Sequence, residues 1–369
     1  MSDQTLNASV PAAKNEWGAA VQQVFCQHCD WQYLLPAGSQ LPQCPHCFQS
    51  KLAQIDPNGN GSGQPDYCPE LVLPYTASAQ AIDSAIRQFA EGIPYAPQGL
   101  DYATLRARLY PVYLPMWLVD ANIDATWQAE AGYNYQVVSH QELFDQNRGG
   151  WNTREVTETR IRWEPRIGRL RRAYQNIPAP ALEEAKAIRS SLGDFDLSRP
   201  VPYHPSQLER VSVRLPDRDQ QDAWSEAAAA FQQVGGNEVK EACASDHLRQ
   251  FRWTATFTDR SWTLLLMPAY STYYLDDENK PQPVMLHGQT GRMTGCRRAS
   301  MARAQRSSLI FLSIGLAIFL LGLIMGGLSV MAPPLAPLAI LAVVIGLPCS
   351  LAAIIPVTIA WNFNRSQGT

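Results

Sequence analysis

Polar and apolar positions change period several times along this chain, and each change marks an element. Val119, Ala121, Ile123, Ala125, Trp127, Ala129 and Ala131 alternate with Asp120, Asn122, Asp124, Thr126, Gln128 and Glu130. Period 2 over that stretch predicts a long strand with one apolar face. Alternation returns over 155–163 and again at Phe251, Trp253, Ala255 and Phe257, and 262–275 reads as a dense apolar and aromatic strand. Residues 284–287 and 292–295 flank the turn Gly288-Gln289-Thr290-Gly291 and predict a hairpin. Helical spacing is scarcer. Ser78 is a natural cap for a helix to about Ala90, with Ile82, Ile86 and Phe89 on one face. Residues 181–192 and 220–233 also read as helices. Strands outnumber helices without regular alternation, which favours α+β with mostly antiparallel sheet.

The pattern ends in two long apolar runs, 309–331 and 338–361, separated by Ala332-Pro333-Pro334-Leu335-Ala336-Pro337. No charged residue occurs from 307 to 364. At 1.5 Å per residue the first run makes a helix of about 34 Å, enough for a hydrocarbon core of about 30 Å. Pro348 and Pro356 should kink the second run, a defect that membrane helices tolerate. The expectation is a transmembrane helical hairpin over 307–361. Arg292, Arg297, Arg298, Arg303 and Arg306 precede it, Arg365 follows it, and no acidic residue occurs after Glu278. The positive-inside rule puts both termini in the cytoplasm of a multi-pass inner (plasma) membrane protein. Residues 1–24 lack the basic and apolar regions of a signal peptide.

Eight cysteines change the picture at the other end. Cys26-Gln27-His28-Cys29 and Cys44-Pro45-His46-Cys47 are two C-x2-C pairs fourteen residues apart. Each pair forms a knuckle aiming two thiolates at one ion, and two knuckles make a tetrahedral four-thiolate site suited to one structural Zn²⁺. This is the pattern of a zinc ribbon with ligands Cys26, Cys29, Cys44 and Cys47. Rubredoxin-type iron uses the same geometry, so spacing leaves that choice open. Disulfides do not suit a cytosolic segment, and a redox C-x-x-C needs a strand–helix setting that is absent. His28 and His46 lie inside the knuckles and read as non-ligands. Cys68, Cys243, Cys296 and Cys349 are scattered, as buried small hydrophobes are.

Domain organisation follows. Residues 1–20 read as a disordered lead-in, 21–52 as the ribbon, 53–66 as a flexible glycine-rich linker and 67–300 as a cytosolic α+β domain. The net charge of −3 over 369 residues excludes a strongly basic nucleic-acid coat protein. It does not exclude a local patch. Between Arg148 and Arg172 lie eight arginines and three glutamates, interleaved with Trp151 and Trp163. Arg162, Arg166, Arg169, Arg171 and Arg172 are candidates for contact with anionic lipid or nucleic acid. The alternative is a solvated strand face with pairs such as Arg162 and Glu164.

Several runs resemble a known family. Besides the cysteine pairs, these are Leu71-Val72-Leu73-Pro74-Tyr75, Tyr110-Pro111-Val112-Tyr113-Leu114-Pro115-Met116-Trp117, Leu264-Leu265-Leu266-Met267-Pro268-Ala269-Tyr270, and the hairpin from Val284 to Gly295. In order and content, over 26–306, they resemble prokaryotic membrane-anchored zinc-ribbon proteins, often labelled primosomal protein N′-like or replication factor Y-like by name transfer. In the hairpin His287 replaces the family's Asn and Arg292 its Lys. Many members carry two ribbons; this chain has one, with Cys68-Pro69 as a remnant. The resemblance implies a prokaryotic cell and this architecture, and no chemistry, since the family has none established.

The motor implied by such a label is absent. No G-x-x-x-x-G-K-[ST] run occurs to grip phosphates, and Gly288-Gln289-Thr290-Gly291 joins strands instead of opening a helix. No G-x-S-x-G occurs, and His140, His204, His247 and His287 are tied to no nucleophile by any motif. Asp276-Asp277-Glu278 reads as a solvated turn. The sequence therefore predicts a non-enzymatic protein without a small-molecule substrate, whose ribbon recruits or scaffolds a cytosolic protein at the inner membrane face. The alternatives are a membrane-tethered nucleic-acid-binding module and an enzyme whose site is assembled from distant residues.

Overall fold

The computed structural model describes residues 17–18, 20–40, 42–55, 67–145, 150–329 and 332–367. Most of the expected lead-in and the glycine-rich run 56–66 lie outside the described residues. In chain order the strands are β1 (Val21–Cys26), β2 (Gln32–Pro36), β3 (Leu52–Gln54), β4 (Leu71–Val72), β5 (Tyr110–Asp145), β6 (Gly150–Pro180), β7 (Val201–Pro202), β8 (Ser212–Arg214), β9 (His247–Leu275), β10 (Pro281–His287) and β11 (Met293–Gly295). The helices are α1 (Ala79–Ala90), α2 (Tyr102–Ala107), α3 (Ala185–Leu192), α4 (Gln220–Ala242), α5 (Met301–Leu328), α6 (Ala336–Leu351) and α7 (Ile354–Gln367). The chain forms two compact units, and β5 and β9 contribute residues to both.

The first unit comprises Met1–Pro115, Lys186–Leu215 and Leu266–Thr369. Its strands run in the order β11-β10-β9-β5-β8-β2-β1-β3, with β4 joining β7 to β9. Pairing is antiparallel at β1–β2, β1–β3, β2–β8, β9–β10 and β10–β11. At β5–β8 it is parallel, through Val112↔Ser212 and Tyr113↔Val213, so the sheet is mixed. The cysteine-bearing strands are thus part of this sheet: Tyr33 pairs with Arg214 and Leu34 with Val213. Trp17, assigned by composition to the lead-in, is buried, and its ring meets Tyr203 edge-on at 6.0 Å. The Tyr203 hydroxyl donates to the Trp17 carbonyl at 3.0 Å. An indole this large holds the chain wherever it is buried, whatever the composition around it.

α1 follows its sequence signals: the Ser78 hydroxyl accepts from the Ala81 N–H at 3.1 Å, and Ile82, Ile86 and Phe89 are buried. They pack with Leu105, Tyr274, Leu286, Ala304 and Ala360, which ties α1, the sheet and the bases of α5 and α7 into one core. In the β10–β11 turn only Gly291 has a positive φ (+74°). Gly288 is there for close approach, since a Cβ on it would lie 2.6 Å from the Pro268 carbonyl oxygen.

α5 and the segment Pro333–Gln367 are long and apolar enough to cross a membrane. They form an antiparallel pair through small residues. A Cβ on Gly315 would lie 2.4 Å from the Ser350 nitrogen, one on Gly322 2.9 Å from Val343, and one on Gly346 2.5 Å from the Phe319 nitrogen. Their outer faces are apolar and exposed, as at Leu309, Ile324 and Ile340. Pro348 sits inside α6, while the helix breaks at Ala352–Ala353. The break precedes Pro356, which has no N–H for the Ala352 carbonyl; Ile355 donates to that carbonyl instead at 3.1 Å.

The second unit comprises Met116–Ala185 and Pro216–Leu265. β5 and β6 pair antiparallel from Met116↔Pro180 to Asp145↔Gly150, with a bulge at Val119/Ala121 where Asn176 adopts φ +57°. β9 lies on the other side of β5: His247 bonds Asn134 at 3.1 Å, Arg249 bonds Glu130, and Asp259 accepts from Asn122 at 2.8 Å. Beyond Asn134 the β5–β6 hairpin continues as a two-stranded arm. The expected alternation over 155–163 is therefore one piece of a strand reaching Pro180, and the two strands expected between 251 and 275 are one. α4 covers one face with Phe231 buried against Tyr174, Trp224 and Phe257. It runs past the expected end at 233 because Gly235 and Gly236 seat the rings of Trp253 and Phe251. Ring packing outweighs the roughly 1 kcal/mol helix cost of each glycine.

Candidate metal centre

Cys26 ends β1, and its backbone starts the first knuckle. The Cys26 N–H donates to the Trp31 carbonyl and its own carbonyl accepts from the Asp30 N–H, both at 2.9 Å. Asp30 takes φ +59° to close the turn. The second knuckle repeats the device: Cys44 N–H to the Ser50 carbonyl at 2.9 Å, Phe48 N–H to the Cys44 carbonyl at 3.0 Å, and φ +53° at Phe48. A left-handed residue four positions after the first cysteine is common to both. Neither is glycine, so composition alone does not signal the turns.

The four sulfurs lie within 4.8 Å of one another. Cys26 and Cys47 Sγ are 3.5 Å apart, and Cys29 and Cys44 Sγ are 3.6 Å apart. Metal–sulfur bonds of about 2.3 Å in a tetrahedron put the sulfurs about 3.8 Å apart, so the cluster could hold one metal ion. Cys26 and Cys44 are buried; Cys29 and Cys47 are half-buried. The Ser50 hydroxyl lies 3.1 Å from Cys26 Sγ, and the buried Tyr33 hydroxyl 3.9 Å from Cys44 Sγ, both placed to donate to thiolates.

Electrostatics separates the thiols. A hydrogen bond from Cys29 holds Cys44 down to about 4, while that same bond and burial push Cys29 far above the usual thiol range. Burial pushes Cys47 up to about 11. The Cys44 thiolate forms readily, while Cys29 and Cys47 need a cation to take their charge.

His46 stacks on Trp31 with ring centroids 3.6 Å apart and 5° between planes, and His28 is exposed. Neither belongs to the sulfur cluster. The module is tied down from three sides within its unit. The Arg214 guanidinium sits 4.5 Å from the Trp31 centroid and donates to the Gln32 carbonyl at 3.1 Å. Ser271 donates to the Pro45 carbonyl, and Phe48 stacks on Tyr273 at 4.5 Å. Tyr33, Arg214 and Ser271 escape sequence reasoning because they reach the knuckles from distant segments or from mid-strand.

In the second unit each of the five candidate arginines meets a carboxylate. Arg162 and Arg166 share Glu164 at 3.0 and 2.7 Å, Arg169 and Arg171 share Asp124 at 2.6 and 2.8 Å, and Arg172 reaches Glu238 at 3.3 Å. Arg169 and then Arg171 hold the exposed Asp124 down to about 2. Trp163 has Arg249 over its ring at 4.0 Å.

The histidines serve local structure. His204 caps a short 3₁₀ turn and its Nδ1 lies 2.8 Å from Ser206 Oγ. His140 faces Glu155 at 3.5 Å. His287 is buried: Nδ1 accepts from the Gln289 and Thr290 N–H groups, its Nε2 lies 3.3 Å from the Asp194 carbonyl, and burial lowers its pKa. Asp276 accepts from the Glu278 and Lys280 N–H groups, which makes its acidic run a self-capped turn. Comparison with protein-family models, curated proteins and solved structures yields no match.

Proposed function

We propose that this chain is a non-enzymatic zinc-ribbon protein, anchored in a prokaryotic inner membrane by its two apolar helices, that holds a cytosolic protein at the membrane face. One observation carries the reading. The closed four-cysteine cluster and the base of the apolar helix pair belong to the same compact unit. A metal there stiffens the platform that the helices carry. Four thiolates in a tetrahedron suit Zn²⁺ and leave no open coordination position, so the ion is structural. Seven basic and no acidic residues after Glu278 favour cytoplasmic termini. The sequence likeness to membrane-anchored zinc-ribbon proteins points the same way.

The pairing of β2 with β8 refines the recruitment idea. The ribbon acts as a fixed face, and its exposed knuckle around His28 is the surface offered to a partner. The arginine pairs of the second unit favour a solvated face there over a nucleic-acid groove.

The test places a photo-crosslinker at His28 and, separately, at Val138 on the exposed arm, in cells. A single protein captured in stoichiometric yield from His28, insensitive to nuclease and lost with Cys44→Ser, supports the ribbon-mediated reading. Capture from Val138 alone moves the contact to the arm. Products that vanish with nuclease refute the protein-partner reading in favour of nucleic acid.

A further inference from the structure

The base of the helix pair is rich in cations. After Glu278 the chain contains Lys280 and six arginines and no Asp or Glu. Asp277, close by in space, is already committed: one oxygen bonds the Ser300 hydroxyl at the α5 cap, and the other accepts from the Ala302 N–H at 2.9 Å. Among the described residues, no carboxylate lies within ion-pair distance of Arg306 or Arg365, and both are exposed.

These two arginines sit where α5 and α7 meet the core. Ala304 and Ala360 are fully buried there, and Asn364 brackets Ala299, accepting from its N–H at 2.7 Å and donating to its carbonyl at 3.1 Å. Arg365 lies 5.4 Å over the ring of Trp361, which is half exposed. A tryptophan with an arginine at the end of an apolar helix is the side-chain pair that settles at headgroup level.

We propose that this base is an anionic-phospholipid site, with headgroup phosphates held by Arg306 on α5 and Arg365 on α7. The site rests on the membrane-anchored reading above. Cations left without carboxylates at a bilayer interface gain most from phosphates, and Arg binds phosphate in a bidentate fork.

The experiment uses the full-length, metal-loaded protein. Alkaline carbonate extraction of membranes comes first; a chain released by it refutes membrane anchoring and this site together. An integral chain is then purified in detergent with equimolar phosphatidylglycerol and phosphatidylcholine, and retained lipids are counted by native mass spectrometry. Phosphatidylglycerol should be retained preferentially, and R306Q/R365Q should reduce that preference by about fivefold for each charge removed. R306K/R365K should keep most of it. Bound metal and far-ultraviolet circular dichroism check that each variant is folded. Equal retention of the two lipids by the wild type, or an undiminished preference in R306Q/R365Q, overturns the site while leaving the membrane anchor standing.

Discussion

Removing the metal should unravel more than the cysteine module. The Leu215 N–H donates to the Gln32 carbonyl at 3.0 Å, and Val213 and Arg214 ladder onto Leu34 and Tyr33. These partners exist only while the module is folded, and a module this small buries too little to fold unaided. Structural zinc contributes about 10–16 kcal/mol in comparable four-ligand sites, as much as the whole net stability of a typical domain, about 5–15 kcal/mol. Even ~4 kcal/mol lost from the β2–β8 seam speeds amide exchange there about a thousandfold. The assay is hydrogen–deuterium exchange on detergent-solubilised protein, before and after chelation and in Cys44→Ser. Peptides covering 212–215 should exchange fast without metal, although their sequence is more than 160 residues from the nearest cysteine ligand. Peptides from α4, in the other unit, serve as the internal reference and should hold. Unchanged protection at Leu215 in protein proven metal-free would refute the argument that the module is held by its ion.

Two further outcomes follow from the geometry. Gly346→Val puts carbon where only 2.5 Å separates it from the Phe319 backbone; it should force the helix pair apart at a cost of about 1–3 kcal/mol, read as a lower melting temperature in detergent, and an unchanged melting temperature would count against the close packing. Asp124 is held down to about 2, below its unfolded value near 4, so its pairing with Arg169 and Arg171 is fully present above pH 4 and is lost as pH falls from 4 toward 2; a carboxyl titration by NMR with its midpoint near 4 would show that the pairs do not persist in solution.

What the sequence discloses depends on how local the cause is. The two C-x2-C pairs predict the sulfur cluster because spacing alone fixes the knuckle. The α1 helix is readable because its cap and its apolar stripe lie within thirteen residues. The long apolar helices are readable by length. β8 is not, because three residues carry no period, and only their partners in β2 and β5 make them a strand. The end of α4 is misread because Gly235-Gly236 is a stop signal in isolation, and the rings that overrule it come from β9. Trp17 is misread because one aromatic cannot be heard above sixteen residues of polar and small neighbours. The arginine run is legible as charge and illegible as pairing, since Asp124 and Glu238 come from other elements.

The division of the first unit into three separated stretches sets a schedule for its synthesis. β2 leaves the ribosome some 180 residues before the strand it pairs with, Leu34 against Val213. At about 5–20 residues per second that is a wait of roughly 9–36 s. The second unit is complete once Leu265 has emerged, whereas the first needs β9, β10 and the apolar helices at the end of the chain. The newborn N-terminal strands therefore expose their open edge and thiols through most of translation. A metal ion held by the four cysteines would close the knuckles during that interval, and the sheet is finished only once β10 and β11 have been made.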